Sequence, residues 1–357
     1  MTATLEQRQL PGGCPLWLLH RPGPAILSAK LWLRGGSSGD PDGQRGAAQL
    51  LAGVLSRGSG RWSGDALADL VEGNGAGLRC EASEDGTLIS LKCASADAPR
   101  LLPLLLEMAN SPWLLDDQIA LERQLNLQTL QRQREDPFQL SHDLLRRRLY
   151  GNGPYGHDPL GEEEELPAIG RSQLQERAAQ LAGGGSVLVL AGQIPPAVEE
   201  HLLQGVNGDA WPTTAPERRP GPQGCGEPGL SSCEDDTEQL VLMLGCSTVP
   251  LGSDDALAYD VGVHHPARVG AAPFVFHLSS SADRATEATQ HLLAEWQRLL
   301  EIPLTASELE LAQAKFRGQE ALGRQTCSQL ADRLALVLGH GLPADFADRS
   351  LEAAQQL

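Results

Sequence analysis

The sequence predicts an α+β protein in which one architecture occurs twice in tandem, each copy a mostly antiparallel sheet covered by helices on one face. Three observations lead there. Strand-like alternation ending in glycine appears in "SAKLWLRGGSS" (Ser28–Ser38) and again in "EQLVLMLGCST" (Glu238–Thr248), with Leu33-Arg34-Gly35 over Met243-Leu244-Gly245. A second pair of strands, Thr87–Arg100 and Pro273–Thr286, shares the Ser-Ala-Asp at Ser95-Ala96-Asp97 and Ser281-Ala282-Asp283. Long amphipathic stretches then follow in both copies, with Ile119, Leu140, Leu144 and Gly151 in register with Leu309, Leu330, Leu334 and Gly341. A repeat of this length means two homologous domains rather than a solenoid, and its order of strands and helices is that of a helix-covered sheet.

The first copy spans residues 1–204. After its first long strand, "GAAQLLAGVLSRGSG" (Gly46–Gly60) places Ala47, Leu50, Leu51, Val54 and Leu55 on one stripe of a short helix. Gln49, Ala52 and Gly53 share the i, i+3, i+4 relation on its other side. Glycine inside a helix costs about 1 kcal/mol relative to alanine, so that blank second face calls for an explanation. A second helix leads into "GNGAG" (Gly73–Gly77), which is a turn into a strand and not a phosphate loop, because no Lys-Ser/Thr follows it. Residues 205–236 are rich in Pro, Gly, Ser and Thr and read as a linker. Residues 237–357 form the second copy, which looks incomplete. Its stretch Ser247–Leu257 is far shorter than the matching Ser37–Val71, and it stops soon after Gly341. Residues are expected to be missing near Asp255–Leu257 and at the C-terminal end.

Composition narrows the function. A formal net charge of −18 argues against nucleic acid and anionic membrane surfaces as partners. No apolar run approaches the roughly 20 residues of a membrane span, and the first residues lack the layout of a secretory signal. Seven scattered cysteines do not form a disulfide framework. A cytoplasmic location is the expectation. Only Lys30, Lys92 and Lys315 among the 28 basic residues are lysines, so the Arg146–Arg148 triplet reads as coding bias on a solvated helix face. Cys225 and Cys233 lack histidine companions at zinc-site spacing and read as free thiols. His291 and Glu295, at i, i+4, have His264, His265 and His277 upstream but no third group on their own helical face, and Leu292, Leu293 and Trp296 mark a core stripe there.

The segment from Leu31 to Ile169 resembles the pitrilysin/insulinase metallopeptidases, the family that includes mitochondrial processing peptidase. The resemblance rests on the order of strand, Gly-Ser turn, helix, Gly-Ser turn and helix in "LWLRGGSSGDPDGQRGAAQLLAGVLSRGSGRWSGDALADLVEGNGAGLRC", and on the downstream helix with its Pro154-Tyr155-Gly156 segment. It implies a fold of the LuxS/MPP-like metallopeptidase type. In that family the first helix carries His-x-x-Glu-His, two histidines for zinc and a glutamate for the attacking water, which must share one helical face. Those positions are Gln49, Ala52 and Gly53 here, and the distal glutamate ligand falls on Thr129. The resemblance thus accounts for the blank face as a degenerate metal site and implies that the chain binds no metal or cofactor and has no catalytic residues of its own. It further implies that Gly75, Ala76, Gly77 and Leu78 enter a substrate-facing edge strand, where extended peptides bind by strand addition. Tyr259 matches a tyrosine that orients the substrate carbonyl, although the position of its arginine partner is Gly252. The implied role is a zinc-less subunit supplying chamber wall and peptide-binding surface to a zinc-bearing sister subunit, or to a second copy of itself. The alternative is a non-proteolytic scaffold or assembly protein that reuses the fold.

Overall fold

The structure, a computed structural model, describes residues 4–202, 215–217, 221–224, 226–234, 239–248, 263–264 and 266–357. In chain order the described elements begin with strands β1 (Thr4–Gln9), β2 (Pro15–His20) and β3 (Ile26–Arg34), helix α1 (Ala47–Leu55), and the short hairpin β4 (Gly58–Ser59) and β5 (Trp62–Ser63). Helix α2 (Gly64–Glu72), strands β6 (Gly77–Ala82) and β7 (Gly86–Ala94), and helices α3 (Ala98–Leu101), α4 (Pro103–Asn110), α5 (Asp116–Arg134), α6 (Pro137–Tyr150) and α7 (Arg171–Gly183) follow. Strand β8 (Ser186–Gly192) and helix α8 (Val198–Leu202) precede β9 (Gln239–Ser247), β10 (Val263–His264) and β11 (Pro273–Ser281). Four helices end the chain: α9 (Ala285–Glu301), α10 (Ala306–Leu322), α11 (Cys327–Gly339) and α12 (Phe346–Gln355).

Two compact units divide the chain, and they cut across the boundaries at residues 204 and 237. One comprises Met1–Leu127, Pro159–Arg218 and Leu322–Phe346; the other comprises Gln128–Asp158, Arg219–Ala321 and Ala347–Leu357. The first unit is built on a six-stranded sheet of order β1-β2-β8-β3-β7-β6. The pair β2–β8 is parallel, with Leu16 opposite Leu188, and every other pair is antiparallel. β3 and β8 occupy the centre because they are buried on both faces: Leu27, Ala29, Leu31 and Leu33 alternate with Ser28, Lys30 and Trp32, and all of β8 is buried.

A sheet buried on both sides needs cover on both sides, and the helix-covered sheet expected from the sequence has its second face covered by a segment from beyond residue 237. α1, α4 and α7 lie over one face of the central and edge strands. α11, from the segment Leu322–Phe346, covers the other. There Trp32, Val187, Val189 and Ala191 pack against Ala331, Leu334, Ala335 and Leu338. Lys30, nearly buried, reaches Asp332 of α11 at 2.6 Å and Ser90 Oγ at 3.2 Å, so its charge and its donors are matched. Thr326 and Gln329 close a capping box at the start of α11. Burial holds His340, just after α11, below the usual imidazole value.

The second unit has a three-stranded antiparallel sheet, β10-β11-β9. α6 packs on β9, where a Cβ at Gly245 would come within 2.9 Å of Leu145 Cδ2. Trp296 of α9 meets Phe274 and Phe276 of β11. Arg268 is buried over the Tyr150 and Tyr155 rings, Tyr150 donates to Ala271 O at 2.8 Å, and Tyr155 accepts from Gly270 N at 2.9 Å. The suspected gap near Asp255–Leu257, and Tyr259 with it, lie outside the described residues. No helix among the described residues is long and apolar enough to cross a membrane.

Candidate functional site

The site is built around α1. Its first turn has no side-chain cap of its own, and Asp40 serves from a distance, accepting from Gly46 N at 2.9 Å and Ala48 N at 3.0 Å. Arg177 stands 3.6 Å from that carboxylate and donates to Gly36 O. Burial is the dominant influence on Asp40 and pushes its pKa up to about 6, against the pull of Arg177 and the helix N–H groups. A carboxyl whose pKa is higher in the folded chain than in the unfolded one gives stability that is full below about pH 4 and falls as pH rises through 6. Asp40→Asn should abolish that dependence. The stability of the wild type relative to the variant should drop by on the order of 2 kcal/mol between pH 4 and 7, measured by urea denaturation at each pH. A flat difference across that range would refute the assignment.

Ala47, Leu50, Leu51, Val54 and Leu55 are buried as their spacing requires. On the opposite side, Gln49 Oε1 accepts from Ala82 N at 3.0 Å, which ties the end of β6 to α1. Ala52 is fully buried, with no polar side-chain atom. A Cβ at Gly53 would lie 2.6 Å from Oε2 of Glu122 on α5. The other oxygen of that carboxylate, Oε1, accepts from Arg57 Nε at 2.8 Å and from Arg57 Nη2. Thr129 lies two turns beyond Glu122 on α5, half-buried, within 3.4 Å of Arg132 Nη2.

β6 is one edge of the six-stranded sheet. Ser83 N donates to Gly86 O, so the alternation of an antiparallel pair turns the backbone groups of Glu81 and Arg79 toward β7 and those of Leu78, Cys80 and Ala82 away from it. Gln49 takes the Ala82 N–H, leaving Leu78 and Cys80 to present the open edge. Of the four residues assigned to peptide binding, Gly75 and Ala76 spend their N–H groups on Glu72 O and Val71 O, closing the turn after α2. Gly75 has φ +59, the left-handed region that favours glycine. Gly77 is exposed with open space about it. Beside this edge is a cleft of about 430 Å³ lined by Arg57, Leu67, Val71, Leu78, Trp113 and Gln118 among others. The structure places Leu78 on this edge, and Cys80 and the cleft walls beside it were not among the residues singled out from the sequence.

The remaining candidates disperse. His291 is exposed and lies 3.8 Å from Glu287, while Glu295 pairs with Arg298 at 2.7 Å. His277 meets the Phe138 ring edge-on. His265 and Cys225 lie outside the described residues, and Cys233 is an exposed free thiol. Arg146 corrects the reading of a solvated face: it is buried, paired with Asp143 and with Asp158 at 3.0 Å, and donates to His157 O. No group of three or more His, Cys, Asp or Glu side chains able to hold a metal occurs among the described residues.

Comparison with known proteins gives consistent neighbours. Residues 18–162 match the family model described as Insulinase (Peptidase family M16). An uncharacterised zinc protease of Mycobacterium leprae is 24% identical over 343 residues, which is 93% of this chain and 73% of that protein. Subunit 1 of the mitochondrial cytochrome b-c1 complex of Bos taurus is 27% identical over 205 residues, covering 55% of this chain and only 42% of the subunit. A crystal structure described as the peptidase M16 inactive domain from Pseudomonas fluorescens superposes with a TM-score of 0.80 at 21% identity, covering 99% of this chain and 92% of that one. At that identity the likeness is one of fold.

Proposed function

We propose that the chain, whose residues 18–162 match the family model described as Insulinase (Peptidase family M16), is a non-catalytic subunit that supplies peptide-binding surface to a zinc-bearing family member. The observation that carries this reading is the combination around α1. The core stripe is intact, the opposite face has no ligand to offer, and an open strand edge with an adjoining cleft is retained.

Zinc does not fit the residues present. A catalytic zinc takes about three protein ligands of histidine, cysteine or carboxylate type. Gln49 offers a neutral amide oxygen already engaged by Ala82 N, Ala52 and Gly53 offer no donor, and Thr129 offers only a hydroxyl. The carboxylate beside Gly53, that of Glu122, is held by Arg57. What the chain keeps is the means to bind an extended peptide: outward backbone groups at Leu78 and Cys80 for main-chain hydrogen bonds, and the cleft for a side chain. Tyr259 is proposed to meet the same peptide.

Purified protein should carry no stoichiometric zinc by elemental analysis, cleave no peptide alone, and show the same melting temperature with and without a chelator. Mixed with an intact family member, it should form an equimolar complex by light scattering and raise that member's peptidase rate. One tightly held zinc per chain would overturn the reading. A second reading, a scaffold or assembly protein without proteolysis, draws on the likeness to a protein named as a subunit of the cytochrome b-c1 complex. It takes over if the complex forms and the peptidase rate does not change.

A further inference from the structure

We propose that the edge strand β1 is a self-association site: two copies of this chain pair antiparallel through Thr4–Gln9, with Gln7 against Gln7, and make one continuous sheet across a two-fold axis. β1 lies at the opposite end of the six-stranded sheet from β6. The pairing therefore depends neither on the peptide edge nor on a zinc-bearing partner.

The backbone decides which groups are open to a second chain. Among the described residues, β2 is the only strand paired with β1. Leu10 N donates to Cys14 O at 2.9 Å, so the alternation of an antiparallel pair turns the backbone groups of Arg8, Glu6 and Thr4 toward β2. Those of Leu5, Gln7 and Gln9 then face outward. All three residues are exposed, and a hollow lined by Gln7, Arg8, Gln9 and Gly12 among others adjoins the strand. The register with β2 runs unbroken from Thr4 to Gln9 and the strand holds no proline, so it lacks two of the devices that keep an edge from pairing.

The side chains decide the partner and the register. Glu6 and Arg8 share one face of β1 and carry opposite charges, 2.8 Å apart and both well exposed. With Gln7 opposite Gln7, Glu6 of each chain falls opposite Arg8 of the other, in the closely spaced non-hydrogen-bonded positions where opposite charges stabilise a sheet. A slip of two residues in either direction keeps the backbone bonds but sets Glu6 against Glu6 or Arg8 against Arg8. One register is thus selected, and the pattern is its own complement. Glu199 of α8, 2.6 Å from Arg8, and His20 of β2, 3.4 Å from Glu6, flank the charged row. A formal net charge of −18 makes two copies repel at long range, which further favours the register whose near charges match.

The test uses the full chain alone. Sedimentation should show a monomer–dimer equilibrium. Glu6→Arg, which sets like charges opposite each other, should raise the dissociation constant by about tenfold or more. Adding Arg8→Glu to it restores opposite signs in the same register and should recover most of the affinity. Oxidation of single-cysteine substitutions reads the register. Gln7→Cys brings two thiols to a Cα separation of about 5.5 Å, within disulfide reach, and should give a cross-linked dimer above the wild-type background. Leu5→Cys and Gln9→Cys, each about 13 Å from its own copy, should not. A chain that stays monomeric up to its solubility limit overturns the proposal. So does a dimer indifferent to Glu6→Arg, a charge swap that fails to restore it, or equal cross-linking at positions 5, 7 and 9. Cross-linking of Gln7→Cys to an added family member but not to itself would assign this edge to that partner instead.

Discussion

Gly46→Ala should lower stability by about 3–5 kcal/mol, the sum of a left-handed alanine and a clash with backbone. Gly46 precedes α1 with φ +103, a conformation alanine rarely adopts. Its Cβ would lie 2.8 Å from both Gly161 Cα and Leu160 O, and 2.7 Å from Leu166 Cδ2. The backbone cannot yield cheaply, because Arg45 clamps the same segment through Glu165: Nη1 donates to Oε1 and the backbone N to Oε2, each at 2.7 Å. The Asp40 cap depends on the Gly46 N–H, so the first turn of α1 would fray with it. Urea denaturation with a common m-value gives the number. A loss below about 1 kcal/mol would mean that the segment around Gly161 moves away freely. That would remove the basis for treating α1 as rigidly placed.

Trp32→Ala should cost a similar 3–5 kcal/mol, by removing a large buried side chain whose site cannot collapse. The indole is held between two glycines: a Cβ at Gly86 of β7 would meet its ring at 2.4 Å, and so would one at Gly339 at the end of α11. Around it lie Val187, Val189, Leu334, Ala335 and Leu338, and the His340 ring stands edge-on at 6.2 Å. Because this tryptophan is the main apolar contact of β3 with α11, its loss should loosen that helix first. Hydrogen exchange should show α11 amides losing protection well before those of β3 and β8. Equal losses in all three would mean that α11 and the sheet unfold as one cooperative unit and that the contact has no local role. Since domains of this kind are stable by only about 5–15 kcal/mol, either substitution removes a large fraction of the total.

How far such features could be read beforehand differs from element to element. The helix at Ala47–Leu55 was legible because five apolar residues on a 3.6-residue period admit one burial solution. The strands Ile26–Arg34 and Gly86–Ala94 were legible from their alternation, whereas their antiparallel pairing was supplied by the structure. Arg146 was misjudged because a run of three arginines says nothing of which one turns inward, and only Asp143 and Asp158 decide that. That Leu78 lies on an edge strand was legible, but the outward turn of Cys80 and the cleft walls were not, since strand parity and neighbouring helices had to be placed first.

By itself the sequence determined the class of fold, the duplicated order of strands and helices, and the absence of metal-ligand residue types at Gln49, Ala52 and Gly53, because each depends only on local period or on residue chemistry at a known spacing. The tertiary structure alone decided that Leu322–Phe346 joins the first unit and covers its second sheet face, and that Glu122 occupies the space beside Gly53. Both bring together residues far apart in the chain. An amphipathic helix carries the demand for an apolar partner but not that partner's address, and a glycine carries the space but not what fills it.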